Sequence, residues 1–435
     1  MYDINPPGVF VSEHIIGHTE SEERVRRVLA ACNHPQYEIV RDVELPAMLE
    51  RPEWKAVDGA AGERESLHEP ILFFTRYEFD ETRLEQRRQK ISQANPGFDV
   101  NRVRSSLLGY HHFAWFNSGQ DAHDIKPCKD HVCRPAWRLH SMEGCFHRCL
   151  YCGLVGYLIT MTDTREFITR LDRLIDANPW EPTYLIDDVS DVLLLEPELG
   201  SFAELCEYFG RKDGRYLIVH TKSANVDFLE HLDHRGHTVM CWSLAARTQA
   251  GELEKVAGTM EERIEAARKC QTWRYHVRFK FKPIVPVRNW RDEAREMIRL
   301  MFERTKPDNL SMTCLAWMDF GKLERILDLD ELDPAFVEAA RKQRGVETDC
   351  PRLLPFPHEV RREIYEFYLN EIRAIDADVP VTISTESLPM WRDMGPKLGF
   401  RPDTFVCGCG STAVPGLKCL PESPWKIAQP VDAWK

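Results

Sequence analysis

"GCFHRCLYCGL", residues 144–154, sets Cys145, Cys149 and Cys152 in the spacing C-x3-C-x2-C. Three thiols in so short a turn can converge on one metal centre. They are one ligand short of a closed tetrahedral zinc site, for which His147 or Cys133 would have to supply the fourth position. Iron–sulfur clusters are ordinarily held by four thiolates. A cluster held by three leaves one iron open to a small ligand, which is a chemical reason to have three and stop.

Downstream of this loop the chain alternates between two periodicities. "TREFITRLDRLIDAN" puts Phe167, Ile168, Leu171, Leu174 and Ile175 on one helical face. "PTYLIDD", "RYLIVHT", "HTVMCWSL", "HVRFKFKPIVP", "NLSMTCLAW" and "VPVTISTES" read as strands. Between them lie helical stretches, among them "FAELCEYFGRK", "WRDEAREMIRLMFERT" and "TMEERIEAARKC", the last opening with a capping box from Thr259 to Glu262. Strands alternating with helices predict parallel pairing through right-handed crossovers. Five or six such units curve into a barrel or partial barrel, with chemistry at the C-terminal ends of the strands. Those ends carry Asp187, Asp188, Thr221, Lys222, Ser243, Lys282, Trp317 and Glu386.

The expected organisation is an α/β or irregular extension over residues 1–125, a core over 126–320, and a C-terminal extension over 321–435 with a helix, a last strand and a cysteine-containing tail. The 435 residues carry 43% hydrophobic residues and a net charge of −12. The acidic balance argues against a dedicated nucleic-acid binder, because phosphate contacts need clustered Lys and Arg. The basic run "RLEQRRQK", residues 83–90, reads as a solvated helix face. The N-terminal stretch does not read as a signal peptide, and no run approaches ~18 apolar residues. A cytoplasmic chain with no membrane partner is expected, and its fourteen cysteines are then thiols or metal ligands.

The cluster motif, with the aromatic Tyr151 before its last cysteine, resembles the signature of the radical S-adenosyl-L-methionine (SAM) enzymes. "HTKSANVDFLEHLDHRGHT", the following "SL", "TMEERIEAARKC" and "FKFKPIVP" resemble the spore photoproduct lyase branch, from about Cys145 to Asp319. The resemblance implies a partial (β/α)6 barrel of the TIM type, with N- and C-terminal extensions. It implies a [4Fe-4S] cluster on Cys145, Cys149 and Cys152, with the open iron chelating SAM. It further implies SAM-pocket roles for Tyr151, Ser190, Lys222, Ser243 and Lys282, the last standing where the family has a small residue. A reductant such as flavodoxin or ferredoxin would supply the electron.

Two positions depart from the branch. Asp188 stands where the lyase has its hydrogen-donor cysteine, and Gly153 where it has a tyrosine after the cluster motif. A carboxylate cannot donate a hydrogen atom as a thiol does. The reading is therefore an enzyme acting on a small or medium organic substrate, with Asp188 and Tyr151 as catalytic candidates. A nucleic-acid lesion lyase with another donor, for instance a C-terminal cysteine, is the second reading, and a non-catalytic metal-binding protein the third. Asp187, Asp188 and Asp191 either face substrate or cap a helix. Cys128, Cys133, Cys407, Cys409 and Cys419 are loop thiols, or a second metal site if the two ends meet. Cys32, Cys206, Cys241, Cys270 and Cys314 fall within elements and read as small core residues.

Overall fold

The computed structural model describes residues 3–32, 36–59, 61–63, 69–110, 113–116, 131–343 and 354–420. Its centre is an eight-stranded sheet whose strand order follows the chain. Phe113–Phe116 pairs antiparallel with Ala136–Leu139 at one edge. From there Thr183–Ile186, Tyr216–Thr221, Thr238–Ser243, His276–Ile284, Leu310–Cys314 and Val381–Ile383 follow, each parallel to its neighbour. This is the partial α/β barrel that the alternating pattern predicts. The sheet also takes in Val381–Ile383, from the segment read as a C-terminal extension.

The crossover helices are held by their apolar faces. In Thr164–Ala177, Phe167, Leu171, Leu174 and Ile175 are buried against the sheet, and Ile168 is partly so. Met260–Thr272 begins with the expected capping box: Thr259 N–H donates to Glu262 at 2.8 Å, and Glu262 N–H donates to Thr259 Oγ1 at 3.2 Å. Two free amides of the first turn are thereby satisfied. The five cysteines read as core residues are all buried.

A second sheet runs Glu38–Val40, Val9–Ser12, Ile71–Thr75, Tyr157–Met161, Met142–Glu143. Among the described residues before 125, Glu38–Val40, Val9–Ser12 and Ile71–Thr75 supply three parallel strands of this sheet. The basic run lies on the helix Glu81–Ala94, where Arg87 pairs with Asp42 at 2.6 Å and Arg88 donates to Ser105 at 2.9 Å.

One stretch passes between the sheets: Ala136–Leu139 pairs in the first and Met142–Glu143 in the second. Asp187 staples the crossing, accepting from Ser141 N–H at 2.9 Å, Met142 N–H at 3.1 Å and the Ser141 hydroxyl. Burial pushes its carboxyl up to about 7. Asp187 thus serves the crossing as a buried hydrogen-bond staple.

The interior floor of the main sheet is apolar: Ala136, Leu185, Ile218 and Val239 pack on Val406, Ala413 and Leu420 from the C-terminal segment. Buried Glu181 anchors that segment. It accepts from Thr412 N–H and Thr183 N–H, both at 2.9 Å, and from the Ser411 hydroxyl. Glu181→Ala orphans these donors, so it should cost about 3 kcal/mol in urea unfolding. It should also speed proteolysis within residues 404–420 while sparing the strands.

Candidate active site

The three-cysteine loop leaves the strand end through Gly144, which has φ +89°; a Cβ there would fall 1.8 Å from the Tyr157 carbonyl oxygen. Side-chain residues rarely adopt that conformation, and here they would also collide. The loop is then pinned along its length. Cys145 N–H donates to Val155 O at 3.2 Å, Leu150 N–H to Leu253 O at 2.9 Å, and Val256 N–H to His147 O at 3.0 Å. Cys149 is buried, while Cys145 and Cys152 are half-buried.

Lys222, directly after the strand Tyr216–Thr221, reaches into this loop. Its Nζ lies 3.3 Å from Cys149 Sγ, 2.6 Å from Tyr151 Oη and 3.1 Å from Glu254 Oε1. The Tyr151 hydroxyl also donates to Glu254, and Arg263 Nη2 approaches the other carboxylate oxygen at 2.5 Å. Arg263 comes from the capped helix and also donates to the Ser243 carbonyl at 3.0 Å. Burial alone would raise the Glu254 carboxyl; Arg263 and Lys222 instead hold it at about 2. Burial opposes the Lys222 charge, yet Cys149 and Glu254 keep the ammonium above its usual range. Burial pushes the Cys149 thiol up to about 11, against the pull of Lys222.

Three of the sequence candidates, Cys149, Tyr151 and Lys222, thus meet in one knot, and the Ser243 backbone carbonyl borders it through Arg263. Ser190 lies beside the loop: its Oγ is 3.9 Å from Met142 Sδ, and the carbonyl before it accepts from Gly144 N–H at 3.2 Å. Lys282 stands apart, with its ammonium 5.0 Å from the centre of the Trp317 ring. Asp188 pairs with Arg138 at 2.6 Å, and His140 is 3.9 Å away. Asp191 neither faces outward nor caps a helix. It accepts from His147 Nε2, Thr221 Oγ1 and Lys222 N–H, each at 2.9 Å, and so locks the cysteine loop to the strand end. Glu386 likewise serves the scaffold, bound by Arg361 and Tyr365 at 2.8 Å each. Sequence reasoning missed Glu254 and Arg263. The one signal was the capping box, which fixes the helix phase and with it the inward face of Arg263.

The donor set suits a multi-iron group. Among the described residues, the one set of three or more His, Cys, Asp or Glu ligand atoms drawn within 4.8 Å of one another is Glu13, His14 and Asp42. The Arg87 guanidinium already sits against that set. The three loop thiols do not form such a set. His147 Nε2 is bonded to Asp191 at 2.9 Å. A Cβ on Gly153 would meet open space, so the mouth beside Cys152 is uncrowded.

Asp191→Ala removes the lock between loop and strand. The expected cost is about 3 kcal/mol, since it strips one partner from a buried pair. Iodoacetamide should label Cys145 and Cys152 faster, as read by peptide mass spectrometry, with Cys206 unchanged.

Comparison with known proteins gives the following likenesses. Residues 135–316 match the family model described as spore photoproduct lyase. The spore photoproduct lyase of Clostridium acetobutylicum is 24% identical over 178 residues, 39% of this chain and 53% of that protein. That of a Geobacillus species is 24% identical over 175 residues, 39% of this chain and 51% of that protein. The chain spans about half the length of these curated relatives. Among solved structures, a spore photoproduct lyase variant with bound AdoMet and dinucleoside spore photoproduct superposes with a TM-score of 0.57. It is 14% identical, and the match covers 89% of this chain and all of that one. A further variant gives a TM-score of 0.58 at 14% identity, covering 88% and 99%. Residues 135–316 are thus similar to spore photoproduct lyases in sequence, and the chain shares their fold.

Proposed function

We propose that this chain is a radical SAM enzyme acting on a small or medium organic substrate. What carries the reading is the three-thiol loop, held open at the C-terminal ends of the strands with a lysine, a tyrosine and a buried carboxylate locked against it. When bound, the [4Fe-4S] cluster and SAM would supply reductive cleavage of the sulfonium and a 5′-deoxyadenosyl radical. The relative with bound AdoMet supports the same cofactor assignment.

In this reading Cys145, Cys149 and Cys152 are the ligands. Lys222 places a fixed positive charge beside Cys149, which favours the thiolate that a metal needs. Glu254 orients both Lys222 and Tyr151, so Tyr151 is presented rather than free to rotate. Ser190, Ser243 and Lys282 line the SAM side, with Trp317 against Lys282. Asp188, paired to Arg138, faces the substrate. With a carboxylate there instead of a thiol, hydrogen return has to come from another group or from substrate itself. A nucleic-acid lesion is the second substrate reading, favoured by the dinucleoside photoproduct bound to the structural neighbour. The electron would come from a flavodoxin- or ferredoxin-type donor.

Anaerobic reconstitution should yield a cluster with the visible absorption of a [4Fe-4S] centre, lost on substituting Cys145, Cys149 or Cys152 by Ala. Added SAM and dithionite should release 5′-deoxyadenosine, read by mass spectrometry. Lys222→Ala should weaken SAM binding about tenfold or more, the worth of a charge-assisted hydrogen bond. Protein isolated anaerobically with zinc, or an intact cluster that leaves SAM uncleaved, overturns the proposal.

A further inference from the structure

The C-terminal cysteines do not remain in a loose tail. Residues 404–410 run beneath the sheet, and their backbone is held by side chains from across it. Arg134 Nε donates to Phe405 O at 2.9 Å, with its guanidinium 4.1 Å from the Phe405 ring centre. Asn309 donates to Val406 O at 3.1 Å, and Thr183 Oγ1 to Gly410 O at 3.2 Å. Both polar groups of Gly408 are engaged: its carbonyl by Arg278 at 3.2 Å, its N–H by Ser311 Oγ at 3.4 Å. A Cβ on Gly410 would lie 2.4 Å from Arg134 Cβ. With both flanking glycines fixed, the sulfurs of Cys407 and Cys409 are brought to 3.5 Å.

Above this pair stands Lys280, a buried lysine in the middle of the strand His276–Ile284. Its ammonium donates to His220 Nε2 at 2.8 Å, and the nearby Cys409 favours its charged form. Among the described residues no carboxylate pairs with it. A buried ammonium lacking an anion is costly. His220 cannot supply one, since burial and the adjacent Lys280 hold the imidazole neutral. A thiolate on Cys409 can, and the neighbouring Cys407 thiol together with Lys280 lowers Cys409 well below an ordinary cysteine, while Cys407 is raised. Cys409 is partly accessible, whereas Cys407 is buried. Among the described residues, no three of Cys133, Cys407, Cys409 and His220 bring ligand atoms within 4.8 Å of one another. Cys419 is exposed and bonded to Thr404 O, and Cys128 lies outside the described residues.

We propose that Cys407 and Cys409 form a redox-active dithiol in the barrel floor, with Cys409 the nucleophilic thiolate paired to Lys280. The co-reactant is a low-molecular-weight disulfide. Cys409 thiolate attacks one sulfur of RS–SR, forming Cys409–S–SR and expelling RS⁻, which takes up a proton. Cys407 gives up its proton to solvent and attacks the Cys409 sulfur, expelling the second RS⁻, which is protonated in turn. The two cysteine thiols are oxidised by two electrons to one disulfide, and RSSR is reduced to two RSH. A dithiol reductant reverses the exchange. None of this requires the cluster or SAM.

The test uses the full chain and glutathione disulfide under anaerobic conditions. Peptide mapping should find a Cys407–Cys409 disulfide that dithiothreitol reverses. Cys407→Ser should stop the reaction at a glutathione adduct on Cys409, and Cys409→Ser should give neither product at these positions. Lys280→Met should slow adduct formation on Cys409 at least tenfold at neutral pH and leave exposed Cys419 unchanged, with circular dichroism confirming the fold. If Cys407 and Cys409 both stay alkylatable while Cys419 forms its adduct, the proposal is overturned. Equal trapping in the two serine variants, or no effect of Lys280→Met, overturns the role given to Cys409. Neither result bears on 5′-deoxyadenosine formation, which tests the radical SAM reading separately.

Discussion

The arrangement at the mouth of the barrel depends on a single buried carboxylate. Glu254 is 1% exposed and touches two cations, Lys222 and Arg263, as well as the Tyr151 hydroxyl. An isolated charge at that depth would not stay ionised. Ringed by two cations, it stays charged and fixes three elements against one another: the cysteine loop, the strand end bearing Lys222, and the helix bearing Arg263. Without the carboxylate, two cations would face each other across the loop. The geometry that presents Cys149 and Tyr151 follows from that balance.

A second buried acid does the same work on the other flank. Asp191 ties His147 to Thr221 and the Lys222 amide, so the loop is held from both sides of one strand end. Conformational freedom lost in the loop is lost on folding rather than on binding. Loops prearranged in this way bind with less entropic cost. The half-buried Cys145 and Cys152 then occupy defined positions even though no regular element contains them.

Much of the scaffold was legible because its signals are local. The capping box at Thr259, the apolar face of Thr164–Ala177 and the strand runs ending at Thr221 and Ser243 each depend on neighbours a few residues away. The cysteine spacing is equally local. Partnerships over long separations were not legible. Glu254 in "GELEKVAG" looks like any solvated acid, and only its meeting with Arg263 and Lys222 distinguishes it. Asp187 and Asp191 were read together by adjacency, but their side chains serve different contacts. The strands Val9–Ser12 and Ile71–Thr75 are short and lie among irregular text, and they pair with each other across some sixty residues before Tyr157–Met161 joins beyond them. The convergence of Cys407 and Cys409 on Lys280 spans some 130 residues, beyond any spacing rule.

The floor-sealing segment also bears on how the chain reaches this state. Leu185, Ile218 and Val239 lie under residues 406–420, which are recruited from far along the sequence. Contacts of such high sequence separation form late, because the loop they close must first be constrained. Until then the assembled strands display an oily patch at the barrel's underside. A partly folded species with that patch uncovered is prone to self-association.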